Sequence, residues 1–164
     1  MGITIHYTMI ADDVKAVIAA LKVVKEEARR AGYRYSFCET VTDDTTLIYD
    51  YVERGEAVRV AGITVYATTR KVFPLYFWRV GGRYICDGWS KTQPSLFTLE
   101  TELSVAFHKW VCSVLRRLEK LPWQRFQVHD EGGYYETLDE ERLRENFREC
   151  EEMLWQFLRG GEKR

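Results

Sequence analysis

Residues 89–121 read WSKTQPSLFTLETELSVAFHKWVCSVLRRLEKL, and this stretch decides how the rest of the chain must fold. Large apolar side chains recur in it at steps of three and four residues, the spacing of one face of an α-helix. Acidic residues begin the run and basic residues end it, as the helix dipole favours. The sequence therefore predicts a loop over residues 89–98 and then one long helix, which ends before Pro122. The predicted apolar stripe is Leu99, Leu103, Phe107, Trp110, Val114, Leu118 and Leu121.

Before this helix, the pattern predicts a strand, a helix and a meander of strands. Asp12 or Asp13 caps the first helix, and Gly32 supplies its left-handed end. Gly81 and Gly82 form a two-residue hairpin turn. Residues 42–45 are expected to be a turn, and residues 71–74 a short connection. The predicted strands are 2–9, 33–41, 46–52, 58–68, 75–80 and 83–88.

After Pro122, the pattern predicts a strand at 123–128, a loop at 130–135 and a last helix. Thr137 and Glu140 have the spacing of a capping box and are expected to open that helix. Its predicted stripe is Leu143, Phe147, Cys150, Leu154 and Phe157.

These elements predict a single α+β domain over residues 1–164. The predicted order is β-α-β-β-β-β-α-β-α, which counts four of the five meander segments as separate strands of the sheet. Helices with one apolar face each pack economically on one face of a twisted, mainly antiparallel sheet of five to six strands. The order resembles that of one half of the TATA-box-binding protein and of helix-grip folds. The likeness concerns topology and implies no function.

Composition narrows the classes of function. With 24 basic and 25 acidic residues, the net charge of -1 gives no general attraction to nucleic acid. No apolar run approaches the roughly 20 residues that cross a bilayer, and the start lacks the pattern of a secretory signal. We expect a cytoplasmic protein that does not associate with membranes. Asn146 is the single asparagine, which together with abundant Glu and Arg suggests a thermophilic source.

The metal-binding residue types form no recognised motif. The cysteines make no Cys-x-x-Cys pair, and no two histidines stand four apart on a helix. His129 and Glu131 share one side of an extended chain, but two ligands are too few. The sequence therefore predicts no metal and no cofactor, and the absence of catalytic motifs favours a non-enzyme. The cysteines, expected as small buried side chains, are Cys38, Cys86, Cys112 and Cys150.

Three short stretches stand out, namely ITIHY at 3–7, KTQ at 91–93 with HK at 108–109, and DEG with YYET within 130–137. They resemble stretches in a group of small uncharacterised prokaryotic proteins. The resemblance implies no activity, but it points to the segments on either side of the long helix.

Those two segments contain the candidate ligand-binding residues. The start of a helix offers free amide donors and partial positive charge, so a nearby lysine favours an anionic or phosphorylated ligand. Such a site predicts a concave pocket with Lys91 and Glu131 within reach of each other. Alternatively, Lys91 forms a structural ion pair with Asp130 or Glu131, and His108 is a hydrogen-bonded residue at the border of the apolar stripe. The candidates are Lys91, Thr92, Gln93, His108, Asp130, Glu131, Tyr134 and Tyr135.

Aromatic residues on the meander strands predict an exposed aromatic sheet face. We expect this face to pair with a second copy of the chain, which makes the protein a self-associating binding or interaction module. The alternatives are a protein or enzyme that acts on an anionic small molecule, and, less favoured by charge, one that stacks nucleic-acid bases. The candidate interface residues are Tyr49, Tyr51, Tyr76 and Trp78.

Overall fold

The structure is a computed structural model, and it describes residues 2–42, 58–93 and 101–160. Within these ranges the strands form one antiparallel sheet in the order β2-β3-β4-β5-β1-β6. The predicted α+β class is confirmed, whereas the likeness to the TATA-box-binding protein stays a prediction. The elements are β1 (Ile3–Ala11), α1 (Val14–Ala31), β2 (Arg34–Thr42), β3 (Val58–Thr68), β4 (Lys71–Val80), β5 (Arg83–Thr92), α2 (Thr101–Glu119), β6 (Arg125–Asp130), α3 (Tyr134–Thr137) and α4 (Glu140–Gly160).

The sheet has two unlike faces. Along β4, Phe73, Leu75 and Phe77 are buried, and they share one core cluster with residues of α1 and α2. We call this side the helix face. The alternating residues of β4, such as Tyr76 and Trp78, are only partly buried and point to the opposite side, which we call the open face. None of the described helices packs on the open face.

The first helix forms as its sequence predicts. Asp13 accepts a hydrogen bond from the backbone amide of Lys15 at 2.9 Å and so caps the N-terminus. Gly32 ends the helix at φ 73°, a conformation that a side chain would disfavour. Val17, Ala20 and Val24 are buried on its apolar stripe.

The buried face of α2 is wider than the predicted stripe. Phe107, Val114 and Leu118 are fully buried as expected, but Leu103 is 56% exposed. His108, predicted at the border of the stripe, is completely buried. The face is wider because α2 packs on the sheet with one side and on α4 with another, so that Ser104, His108 and Cys112 are buried beside the predicted stripe. Leu99 and the residues predicted to start the helix, Pro94, Ser95 and Thr98, lie outside the described residues.

Two predicted connections are strand instead. The proposed connection at 71–74 is the first part of β4, and the proposed loop at 89–92 is the last part of β5. In β5, Ser90 and Thr92 point to the helix face and are buried. Because both residues are polar, the alternation that marks a half-buried strand was hidden. The predicted turn at 42–45 lies mostly, and the strand at 46–52 wholly, outside the described residues.

The last helix starts differently from the prediction. Asp139, not Thr137, caps α4, because its carboxylate accepts from the amide of Arg142 at 3.0 Å. Thr137 instead donates its hydroxyl to the carbonyl of Gly133 at 2.7 Å and closes the short helix α3, where a loop was predicted. Leu143 and Phe147 are buried as expected, whereas Phe157 is 77% exposed.

Candidate functional site

A concave pocket of about 410 Å³ lies on the open face over the middle of β4 and β5. Its volume falls within the range of about 300–1,000 Å³ that small-molecule sites occupy. One wall is apolar and aromatic, and the other carries charged and amide groups. The lining residues are Thr69, Arg70, Val72, Pro74, Tyr76, Asp87, Gly88, Trp89, Lys91 and Gln93.

The pocket lies where the β4–β5 ladder is interrupted. The two strands pair at Lys71 with Thr92 and again from Trp78 onward, and the stretch between has no backbone pairing. Pro74, in the middle of this stretch, has no N–H to donate to a ladder. Two side-chain hydroxyls, one from β1 and one from β5, donate to backbone carbonyls of β4 instead. The hydroxyl of Tyr7 donates to the Pro74 carbonyl, and that of Ser90 donates to the Val72 carbonyl.

Gly88 completes this arrangement from the neighbouring strand. Tyr7 belongs to β1 and pairs with Gly88 of β5, so its ring must cross β5 to reach Pro74 on β4. A Cβ on Gly88 would lie 2.7 Å from Cε2 of Tyr7. The ring can therefore cross only because residue 88 has no side chain. Tyr7 itself is 1% exposed.

The pocket carries two cations beside an exposed indole. Trp89 is 58% exposed, an unusual placement for so large a ring. Neither the guanidinium of Arg70 nor the ammonium of Lys91 has an ion-pair partner within the described ranges. The carboxylate of Asp87 is engaged by the hydroxyl of Thr8 at 3.4 Å. A ring could stack on Trp89 while an anionic group met Arg70 and Lys91.

The predicted segment 91–93 is divided between the two faces. Lys91 and Gln93 line the pocket, whereas Thr92 points to the helix face and is buried. Arg70 was not among the residues predicted to bind a small ligand. It lies in the tight turn between β3 and β4, and only the strand pairing brings that turn beside Lys91.

His108 and Asp130, two other predicted residues, meet in the core on the helix face. The Nε2 atom of His108 lies 2.9 Å from Oδ1 of Asp130, and both side chains are completely buried. The thiol of Cys112, one turn along α2 from His108, lies 3.7 Å from Oδ2 of Asp130. The backbone amides of Gly132 and Tyr135 donate to the same carboxylate at 2.8 and 2.9 Å.

The electrostatics of this cluster favour an ionised carboxylate and a protonated thiol. Burial raises the pKa of Asp130, but the hydrogen bonds from His108 and from the amides of Tyr135 and Gly132 outweigh it, so the pKa lies below its usual value. Burial, with Asp130 nearby, raises the pKa of the Cys112 thiol far above its usual range. Because a nucleophile must be a thiolate, Cys112 is not arranged for nucleophilic catalysis.

Cys112 was missed as a partner of His108, although the sequence contains a signal for it. The two residues stand four apart on a predicted helix, the spacing that places side chains on one face. The prediction considered this spacing for pairs of histidines only, whereas a histidine and a cysteine at the same spacing carry the same signal. His, Cys and Asp are all metal-ligating residue types.

Glu131 and the two tyrosines lie near Asp130 but have structural partners. Glu131 accepts from the amide of Thr4 at 3.0 Å and lies 3.5 Å from His6. Tyr134 packs against the core. The hydroxyl of Tyr135 donates to Glu119 at 3.1 Å, and burial, followed by Glu119, raises its pKa.

The structure does not gather the two halves of the predicted ligand site into one pocket. Lys91 lies on the open face, while Asp130 lies on the helix face. Lys91 and Glu131 flank Thr4 from opposite neighbouring strands, since Lys91 pairs with Thr4 and the amide of Glu131 donates to the Thr4 carbonyl. Glu131 is not among the residues that line the pocket.

Two of the candidate interface residues are described. Tyr76 and Trp78 lie on the open face, and the Tyr76 hydroxyl forms a hydrogen bond with Thr64. Tyr49 and Tyr51 lie outside the described residues. Self-association through this face stays a prediction.

Comparison with known proteins assigns no family. No protein-family model matches the chain, and no curated protein or solved structure is significantly similar to it. Across the described residues, no helix combines the length and apolarity that a membrane span needs.

Proposed function

We propose that the protein binds a small molecule that combines a planar ring with a carboxylate or phosphate group, in the pocket on the open face. The observation that carries this proposal is the exposed indole of Trp89 beside the cations of Arg70 and Lys91 in one concave surface. The indole and the phenol of Tyr76 offer apolar ring surface. The two cations offer the charge complement, and Gln93 offers an amide.

The balance of charge in the pocket supports an anionic ligand. Arg70 and Lys91 contribute two positive charges, and Asp87 contributes one negative charge. The carboxylate of Asp87 accepts a hydrogen bond from Thr8. A guanidinium beside an exposed ring surface suits a planar anion better than a lone phosphate, because it can both stack and donate paired hydrogen bonds.

A thermal-shift screen tests the proposal. Purified protein is heated with aromatic carboxylates, nucleoside monophosphates, sugar phosphates and inorganic phosphate. A ligand at one hundred times its dissociation constant adds about 2.7 kcal/mol of stability, which raises the unfolding midpoint by several degrees. We expect a shift from compounds that carry both a ring and an anionic group.

Matched variants locate the binding. Lys91→Ala and Trp89→Phe should each reduce the shift, while Lys22→Ala, which removes an exposed charge on α1, should leave it unchanged. A shift that survives both pocket variants would contradict the proposed location. The absence of any shift from the whole panel would contradict the ligand class.

Self-association through the open face is the second candidate. It is favoured by exposed aromatic side chains on that face, Trp89 and the 37% exposed Tyr66. A second copy would then cover the pocket, so the two candidates make opposite predictions for the free protein. Sedimentation as a monomer at micromolar concentration would refute the dimer and leave the pocket accessible.

Nucleic-acid binding would instead appear as retention of oligonucleotides that weakens with salt.

A further inference from the structure

We propose that His108, Cys112 and Asp130 form a buried site for a divalent transition-metal ion with the preferences of zinc. One ligand atom from each residue lies within 4.8 Å of the other two, and all three residues are buried. The cluster is on the helix face and is separate from the pocket proposed for the small molecule.

The spacing of the three side chains suits a tetrahedral ion. Bonds of about 2.0–2.3 Å to nitrogen, oxygen and sulfur place tetrahedral ligand atoms about 3.3–3.8 Å apart. The nitrogen of His108 lies 2.9 Å from one oxygen of Asp130, and the sulfur of Cys112 lies 3.7 Å from the other. These two distances go to different oxygens, but one ligand atom of each residue lies within 4.8 Å of the others, so side-chain rotations would bring the three to tetrahedral spacing. His108 and Cys112 share one helix face, which holds two ligands rigidly.

The surroundings orient the carboxylate and balance the charge. The amides of Gly132 and Tyr135 hold Asp130 in place, as groups around a metal ligand commonly do. A carboxylate and a thiolate neutralise the two charges of the ion, so the buried site as a whole would be neutral. Mixed nitrogen, oxygen and sulfur ligands favour zinc or cobalt over magnesium or calcium.

An unpartnered ring nitrogen is a second, independent observation. Among the described residues, neither Nδ1 of His108 nor the hydroxyl oxygen of Ser104, one turn earlier on the same helix, has a hydrogen-bond partner, and both atoms are buried. A histidine that binds a metal through Nε2 carries its proton on Nδ1, which then needs an acceptor. The hydroxyl of Ser104 would supply that acceptor after a rotation of its side chain, since the two atoms do not contact each other as a hydrogen bond in this structure.

Burial determines how the ion would enter. The side chains of His108 and Asp130 have no exposed surface, so an ion would be taken up as the chain folds and released only when it unfolds. Three protein ligands leave one tetrahedral position for an internal water. The site would thus stabilise the junction of α2 with the turn after β6.

The test is refolding with and without metal. Full-length protein is unfolded in denaturant with chelator, freed of metal, and refolded with Co²⁺, with Zn²⁺ or with chelator alone. We expect one ion retained per chain after desalting, a thiolate-to-cobalt absorption band, and a higher unfolding midpoint with Zn²⁺. Native protein should resist removal of the ion by chelator.

A matched pair of cysteine variants identifies the ligand. Cys112→Ala should abolish the cobalt band, and Cys86→Ala, which alters a thiol of equal burial away from the cluster, should retain it. A band lost in Cys86→Ala and kept in Cys112→Ala would overturn the proposal. So would refolded wild-type protein that retains no cobalt, which would leave the cluster a hydrogen-bond network only.

Nuclear magnetic resonance of the wild-type imidazole nitrogens gives an answer that needs no substitution. In Zn²⁺-refolded protein, His108 should carry its proton on Nδ1 and show a metal-shifted Nε2 signal, with the exposed His6 and His129 as references. A His108 spectrum that is identical with and without Zn²⁺ would overturn the proposal even if a variant failed to fold.

Discussion

Replacement of Gly88 by alanine tests the physical cause of the pocket. The new Cβ would lie 2.7 Å from Cε2, 3.2 Å from Cζ and 3.3 Å from the hydroxyl oxygen of Tyr7. Because Tyr7 is fully buried, its ring can move only by forcing other core atoms apart. Overpacking of this kind costs about 1–3 kcal/mol. The displaced hydroxyl would also lose its bond to Pro74, a further cost of about 1 kcal/mol.

We therefore expect Gly88→Ala to lower the free energy of unfolding by about 2–4 kcal/mol. Urea titration measures this change in the free energy of unfolding. The dependence of that free energy on urea concentration should stay the same if the unfolded state is unchanged. Gly82→Ala is the matched control, since a Cβ there meets no atom within 4 Å. That control should change stability by less than about 1 kcal/mol.

A stricter test measures the effect of Gly88→Ala on stability in a protein that already lacks the Tyr7 ring. In a Tyr7→Leu protein the ring is gone, and alanine in place of a strand glycine should then be neutral or stabilising by about 0.5–1 kcal/mol. If Gly88→Ala costs as much in that background as in the wild type, the crossing ring is not the reason for glycine at this position.

Three further predictions concern α4 and its contact with α2. Asp139→Ala should destabilise the protein by about 1 kcal/mol through loss of the helix cap, while Asp139→Asn should retain most of the stability in the same urea assay. Phe147→Ala should cost about 3–5 kcal/mol, because the ring is fully buried with its edge against His108; a cost below about 1 kcal/mol would refute the packing. The pKa of Glu140 is lowered, mainly by its hydrogen bond from Lys109. The folded-state pKa therefore lies below the unfolded-state pKa. The stability that Glu140 contributes is present above the unfolded-state pKa and is lost as pH falls through the folded-state pKa. The stability lost between neutral pH and roughly pH 3 should thus be smaller in Glu140→Gln than in the wild type, and an equal loss would contradict the pairing.

Local signals in the sequence predicted much of the fold. The helix cap, the left-handed Gly32 and the Gly81–Gly82 turn depend on neighbouring residues only, and each is observed, with Asp13 rather than Asp12 as the cap. The long helix was predicted from its period, but the full width of its buried face was not, because the packing of α4 buries a second side of α2.

The candidate site could be predicted only in part, because strand pairing creates it. Lys91 was recognised as a cation near an element boundary, but Arg70 joins it through the β3–β4 turn. In the sequence, neither Gly88 nor Pro74 indicates a pocket. Their roles become clear only in the folded chain, where the ring of Tyr7 passes over Gly88 and its hydroxyl reaches the carbonyl of Pro74. Asp130 was predicted to bind a ligand or to pair with Lys91, yet four hydrogen-bond donors surround its carboxylate inside the core.

The most direct test of the proposed function is to observe the indole of Trp89 during a ligand titration. The indole N–H signals of the protein are recorded by nuclear magnetic resonance, and Trp89→Phe assigns the one that belongs to the pocket. With a ring-bearing anion from the screen, we predict a saturable shift of the Trp89 signal, while that of Trp155, exposed on α4, stays in place. A saturable shift confined to Trp155, or stabilisation with an unmoved Trp89 signal, would contradict binding at the open face.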